Sequence, residues 1–339
     1  MKFSADVLKF DVEDEIRKLS PSIRDVVRGS LRRKGAVIAV SGGIDSSTCA
    51  ALCTRALGKE NVFAIFLPER DSSSDALRLG RMVAGQCEMP AVTETIEPIL
   101  AAAGCYERQL EAVRMVFPEY GEGWKNKIVL PSILNSDRLN VSYLTVQTPA
   151  GETKSERLPL AAYLQLVAAT NFKQRTRTMM AYYHADRLNF AVCGTPNRLE
   201  YDQGFFVKGG DGLADFKPIA HLYKTQVYEL ARALGVPDEI CRRRPTTDTF
   251  SLPQTQEEFY FALPYEQMDL CLYAHNHSVP AEEVAPVVGL TPEQVMRVFK
   301  DIEVKRRTTL PLHLTSIVHE SVPEIARMMS AAMKSGAAD

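Results

Sequence analysis

The sequence predicts an α/β protein with a doubly wound parallel sheet. Three observations predict it. Short continuous runs of apolar and β-branched residues recur along the first two hundred positions, as strands buried on both faces require. Segments of helical period separate these runs at βαβ spacing. A loop with two adjacent glycines, Gly42-Gly43, lies directly between the first run and a helix.

The elements follow in order. Residues 5–34 read as one or two amphipathic helices, with Leu8, Val12, Ile16 and Leu19 near helical spacing and Pro21 as an interruption. Gly35 ends them, and Ala36–Val40 is the first strand. A helix is expected from Ser46 to Leu57, a second strand over Val62–Leu67, and a helix from the capping run Ser72–Asp75 to about Glu88. Ala91–Ile96 is a third strand and Ile99–Val116 a helix. Residues 117–160 break the rhythm. They hold the one tryptophan, Trp124, an alternating stretch Val141–Val146 and a turn at Pro149–Glu152, so a β-hairpin insertion is expected. A long helix over Leu160–Arg187 and a strand at Phe190–Cys193 resume the core. Helices are expected near 221–235, 264–275, 281–288, 291–304 and 321–335, making a helical C-terminal part from about 264 to 339. The whole chain, 1–339, reads as one domain carrying the insertion.

Composition bounds the function. In 339 residues, 45% are hydrophobic and 24% charged, enough for a core of ordinary size. The net charge of −2 gives no global attraction to nucleic acid or anionic membrane, so Arg242-Arg243-Arg244 and Lys305-Arg306-Arg307 are local features. No apolar run approaches the roughly 20 residues of a membrane helix, and no signal-peptide core appears. The seven cysteines lack zinc-ligand spacing and read as reduced, buried thiols of a cytoplasmic protein.

The loop Ser41-Gly42-Gly43-Ile44-Asp45-Ser46 carries the chemistry. Paired glycines allow a close approach of backbone to ligand, and the amides of a helix N-terminus favour an anion. Asp45 would repel phosphate unless a cation intervened, which makes it a sensible Mg²⁺ ligand. The loop is neither a Walker A sequence nor a G-x-G-x-x-G fingerprint.

Ser-Gly-Gly-x-Asp-Ser resembles the pyrophosphate loop of the N-type ATP pyrophosphatases, whose fold is the adenine nucleotide alpha hydrolase-like sheet. Further motifs resemble the NAD synthetase branch: Asn171–Arg177, Gly194–Glu200, Gly204–Asp215, Pro218–Val227, Pro245-Thr246 and Lys305-Arg306. The likeness covers roughly residues 15–115 and 165–315.

The resemblance implies a ligase that uses ATP as co-substrate and Mg²⁺ to join ammonia to deamido-NAD through an acyl-adenylate, giving NAD, AMP and pyrophosphate. It implies ATP contacts at Ala39, Val40, Ser41, Gly42, Gly43, Ile44, Asp45, Ser46, Thr195, Lys224 and Thr246. Asp45, Lys224 and Thr246 would act on the reacting phosphates, and Asp45 and Glu200 would hold the metal. Arg175, Lys208, Asp215 and Lys305 would contact deamido-NAD. Asp211 is a second acidic candidate, and Phe172 is either a stacking ring or a core residue. A homodimer is also implied.

About 35 residues precede the first strand, so the expected form lacks a glutaminase domain and takes free or partner-supplied ammonia. Ala39 stands where the family usually has glycine. Val304-Lys305 replaces a His-Lys pair, Phe250, Phe259 and Tyr260 enter the acidic stretch Asp248–Tyr260, and the insertion is unusually long. These departures keep open a related amide ligase acting on another carboxylate. An RNA-modifying adenylase rests only on Arg242–Arg244, and nucleic acid is not an expected partner.

Overall fold

The computed structural model describes residues 2–130, 142–246, 249–261, 263–325 and 327–328. Val141 of the expected strand, Asp248 of the acidic stretch and positions 326 and 329–335 of the last expected helix lie outside them.

The elements are α1 (Val12–Arg24), β1 (Ala36–Ala39), α2 (Ile44–Leu57), β2 (Val62–Phe66), α3 (Ser74–Gln86), β3 (Ala91–Thr93), α4 (Glu97–Ala102) and α5 (Cys105–Arg114). The insertion holds β4 (Lys125–Val129), β5 (Tyr143–Gln147) and β6 (Thr153–Arg157). Then come α6 (Leu160–Leu188), β7 (Ala191–Val192), α7 (Arg198–Gln203), α8 (Lys224–Ala233), α9 (Asp238–Arg242), α10 (Tyr265–Asn276), α11 (Ala281–Val288) and α12 (Pro292–His313).

Four parallel strands form the main sheet in the order β3-β2-β1-β7. Its strands are apolar on both faces because both faces are covered. Ala36, Ile38, Val40, Val62, Ala64 and Phe66 pack with α1, α2, α3 and α8. Val37, Ile65 and Val192 turn the other way, onto α4, α5 and α6. This alternation is the period of two of a strand, and it confirms the doubly wound reading.

Differences from expectation have local causes. The helix expected over Ile99–Val116 divides into α4 and α5 at Gly104, whose left-handed φ of +69° breaks the helical path. Pro21 does not interrupt α1: the helix runs through it to Arg24 and continues as a wider turn to Ser30. The expected hairpin is present as β5-β6, and a further strand, β4, joins it to make a three-stranded antiparallel sheet. The added strand, Lys-Asn-Lys-Ile-Val, is half polar and carries little strand signal, and pairing with β5 from Lys125↔Gln147 to Val129↔Tyr143 selects its conformation.

Helix α6 spans 29 residues, about 43 Å at 1.5 Å per residue. Its C-terminal half, with Ala181 and Ala185, packs on the main sheet. Its N-terminal half, with Ala162 and Leu166, packs with Ile128, Leu144 and Val146 of the insertion. The added sheet is thereby placed beyond the carboxyl edge of the main one. A separate core of α10, α11 and α12 forms the helical C-terminal part. Among the described residues no helix is long and apolar enough to cross a membrane.

Candidate functional site

Strand order runs outward from β1 to β2 and β3, then returns to β7 on the other side of β1. Ligands of open α/β sheets bind at such a reversal, beyond the carboxyl ends of the strands. Ser41–Ser46 follows β1 there and Gly194-Thr195 follows β7. Both border a cavity of about 1060 Å³.

The loop needs its glycines. Gly42 has φ +74°, and a Cβ there would lie 2.6 Å from the Ala76 carbonyl oxygen. The first helical bond of α2 is Ser47 N to Gly43 O, 3.1 Å, so the amides before it are those a helix N-terminus leaves unsatisfied. Ser46 Oγ ties the loop by donating to Gly43 O at 3.1 Å and accepting from Ser41 N at 3.3 Å.

Beneath the loop, five side chains interlock. Asn197 caps α7 in a reciprocal box: its side chain accepts from Glu200 N at 3.2 Å, and Glu200 Oε2 accepts from Asn197 N at 3.1 Å. Asn197 Nδ2 also donates to Asp45 Oδ1 at 3.0 Å. Lys224 Nζ donates to Asp45 Oδ2. Gln256 Nε2 donates to Glu200 Oε1 at 3.0 Å. Asp45 and Glu200 thus converge on one asparagine.

Burial, and then the charge of Asp45, push the Glu200 carboxyl up to about 7. Lys224, only 2% exposed, shows the opposite balance. Burial works against its charge, but Asp45 and Glu200 outweigh it and hold the ammonium above the ordinary lysine value. Asp269 lies under the start of α8 and accepts from Lys224 N at 3.2 Å and Thr225 N at 2.7 Å. Burial raises its carboxyl to about 7.

Every expected ATP contact, from Ala39 to Ser46 with Thr195, Lys224 and Thr246, borders the cavity. So do Arg175, Lys208 and Lys305. Arg175 Nε donates to Lys208 O at 3.3 Å, and Lys208 Nζ to Pro311 O at 2.7 Å. Lys305 pairs with Asp301 at 2.7 Å and lies 4.5 Å from the Tyr260 ring centroid. Burial lowers its pKa against the pull of Asp301. Asp215 stands apart. Its Oδ2 accepts from Val192 N at 2.7 Å and its Oδ1 from Tyr182 Oη at 3.2 Å, and it does not border the cavity. Asp211 does, with Oδ1 accepting from Val207 N at 2.8 Å. Phe172, on α6, is partly buried against the core on that face of the main sheet and does not border the cavity.

Sequence reasoning passed over Asn197 and Gln256. Asn197 had a readable signal, since Asn-x-x-Glu before an apolar residue is a capping box. Gln256 had none, because only the fold brings residues 249–261 back across Glu200. Of the local basic run, Arg243 and Arg244 border the cavity, while Arg242 pairs with Asp238 at 2.8 Å.

Fold and site together define a nucleotide-binding α/β protein with an anion loop at its topological switch point. The chain belongs to the NAD synthase family, whose pattern matches residues 15–116 and 136–309. An NH(3)-dependent NAD(+) synthetase of Mesorhizobium japonicum is 57% identical over 318 residues, covering 94% of this chain and all of that one. Two solved structures share the fold. An NMN synthetase of Francisella tularensis has TM-score 0.61 and 21% identity, and an NH3-dependent NAD synthetase of Campylobacter jejuni has TM-score 0.60 and 22% identity. Each covers 92% of this chain and 100% of the other.

Proposed function

We propose that the protein is an ATP-dependent ligase that joins ammonia to the nicotinate carboxylate of deamido-NAD, giving NAD, AMP and pyrophosphate. The observation that carries this reading is the Asp45–Asn197–Glu200–Lys224 cluster beneath the phosphate loop. It occurs in a chain 57% identical over 94% of its length to an ammonia-dependent NAD synthetase.

In the first step a carboxylate oxygen of deamido-NAD attacks the α-phosphorus of ATP. The bond from that phosphorus to the α–β bridging oxygen breaks and pyrophosphate leaves. In the second step ammonia attacks the acyl carbon, AMP leaves and the nitrogen loses a proton. The loop amides and the α2 N-terminus would cradle phosphate oxygens. Lys224, cationic through the neutral range, and the Thr246 hydroxyl would offset charge gathering on pyrophosphate. Arg175, Lys208 and Lys305 would hold the acceptor; the role of Asp215 as an acceptor contact requires it to release β7 or act through that strand.

The donor set fits Mg²⁺. Among the described residues no cluster of three or more potential ligands occurs, but Mg²⁺ usually takes one or two carboxylates and completes its shell with phosphate oxygens and water. Asp45 and Glu200 would hold it, and it would neutralise phosphate charge when bound. We also read the protein as a cytoplasmic homodimer in which each chain is a single catalytic domain. Exposed Leu164, Met179 and Tyr183 on α6 support the dimer, and seven unpaired cysteines support the compartment.

Purified protein given deamido-NAD, ATP, Mg²⁺ and ammonium is expected to form NAD, AMP and pyrophosphate in equal amounts. Pyrophosphate release without NAD, or with another carboxylate only, would overturn the assignment.

A further inference from the structure

The β4-β5-β6 sheet forms part of the wall of the substrate cavity. Ile128, Leu130, Arg157 and Leu158 all border it. The sheet is fastened to the segment 249–261: Leu252 N donates to Asn126 O at 3.0 Å, Ser251 Oγ accepts from Asn126 N at 2.9 Å, and Lys127 pairs with Glu258 at 2.6 Å. That segment also carries Gln256, which holds Glu200. The wall is therefore braced against the reaction centre. Residues 117–135, which include β4, lie between the two stretches that match the family pattern.

The cavity lining is strongly cationic, with nine Lys and Arg against three Asp and Glu. Lys173, Lys224 and Lys305 are committed to carboxylates, and Arg175 and Lys208 donate to backbone carbonyls. Arg243 and Arg244 flank Pro245-Thr246 on the ATP side, and Arg177 neighbours Arg175. Arg157 is the one lining cation contributed by the added sheet. Its guanidinium makes no hydrogen bond or ion pair with any described residue. The three lining carboxylates, Asp45, Glu200 and Asp211, are engaged elsewhere.

Position decides what Arg157 could meet. It precedes α6 by three residues, and Leu160 and Arg175 are separated by about 22 Å of helix at 1.5 Å per residue. Arg157 thus stands at the end of the cavity remote from the phosphate loop, where ATP is held. If the nicotinate carboxylate must reach the α-phosphorus of ATP, the anionic group left to extend toward the far wall is the diphosphate of the dinucleotide.

We propose that Arg157 is a further substrate-binding residue, reading the diphosphate of deamido-NAD from the wall the added sheet supplies. The inference rests on the ligase reading above. Guanidinium forks onto phosphate oxygens in a geometry lysine does not reproduce.

The test is steady-state kinetics of the full chain and of Arg157→Ala, Arg157→Lys and Arg157→Glu, with circular dichroism to establish folding. In Arg157→Ala, KM for deamido-NAD should rise about tenfold to a hundredfold, the scale of one charge-assisted contact, while KM for ATP stays within twofold. Lysine should restore part of the loss and glutamate deepen it. Nicotinate mononucleotide, which lacks the diphosphate, should show no such sensitivity, so the preference for the dinucleotide narrows in the alanine variant. A rise confined to KM for ATP, an equal effect on both nicotinate substrates, or no change in folded Arg157→Ala and Arg157→Glu would overturn the proposal. Failure of the unaltered protein to form NAD would instead overturn the ligase reading, and that outcome is visible before any variant is made.

Discussion

Glu200 shows how one side chain serves two demands in conflict. Its carboxylate closes the α7 capping box and approaches Asp45 in a partly buried place. A carboxyl whose folded pKa of about 7 exceeds its unfolded value of about 4.5 binds more protons folded than unfolded between those values. Stability therefore falls as pH rises through that window, and the cost is complete above it. Glutamine can close the same box without charge. Glu200→Gln is expected to flatten the pH dependence of the melting midpoint between about pH 4.5 and 7, raise the midpoint at pH 8, and lower kcat at least a hundredfold. A fall in the pH 8 midpoint would show that the charge stabilises the fold. Lys224→Met makes the converse case. It leaves Asp45 without its buried cation, so stability should fall by about 3 kcal/mol in denaturant titration. Pyrophosphate release should slow by about a hundredfold to a thousandfold.

Elements differ in how much of this was legible. The β1–loop–α2 unit could be read directly, because an apolar run, two glycines and a helical segment are contiguous and each constrains the next. Gly42→Ala tests that unit. With φ +74° and a carbonyl oxygen 2.6 Å from the new Cβ, it should destabilise by about 1–3 kcal/mol and raise KM for ATP; unchanged thermal unfolding and KM would show that the loop relaxes freely. The Lys224 and Glu200 positions were legible only by likeness to a family, since a lysine or a glutamate at a helix start is ordinary in isolation. The segment 249–261 was illegible. Its contacts to Asn126, Lys127 and Glu200 span 56 to 131 positions of sequence, and no local period encodes them. Asp215 illustrates the converse limit: a motif match located the residue, while its two hydrogen bonds to β7 and Tyr182 turn on tertiary geometry.

At the scale of the whole molecule, α6 carries one of the exposed apolar surfaces. Leu160, Leu164, Met179 and Tyr183 are each more than half exposed. At 100° per residue they fall within about 140° of arc, one side of the helix. The opposite side is already occupied by α5, the insertion and the main sheet. The four form two apolar pairs about 22 Å apart along the helix, with exposed Arg175 between them in the same arc, and a self-complementary patch on one long helix suits a twofold interface, in which each copy buries the same residues. The cavity runs along α6 as well, with Tyr163, Val167 and Gln174 on its lining. Pairing through this helix would therefore stiffen the wall of the substrate site along with covering the patch. Light scattering coupled to size exclusion should give twice the chain mass for the unaltered protein and a single chain mass for the double variant Leu164→Glu, Tyr183→Glu. Activity per chain in that variant should drop with dilution more steeply than in the unaltered protein, because the remaining association is weak and concentration-dependent. A doubled mass that survives both substitutions would place the interface on another face. A single mass for the unaltered protein at working concentration would dismiss the dimer, leaving the patch to be explained by contacts within the chain.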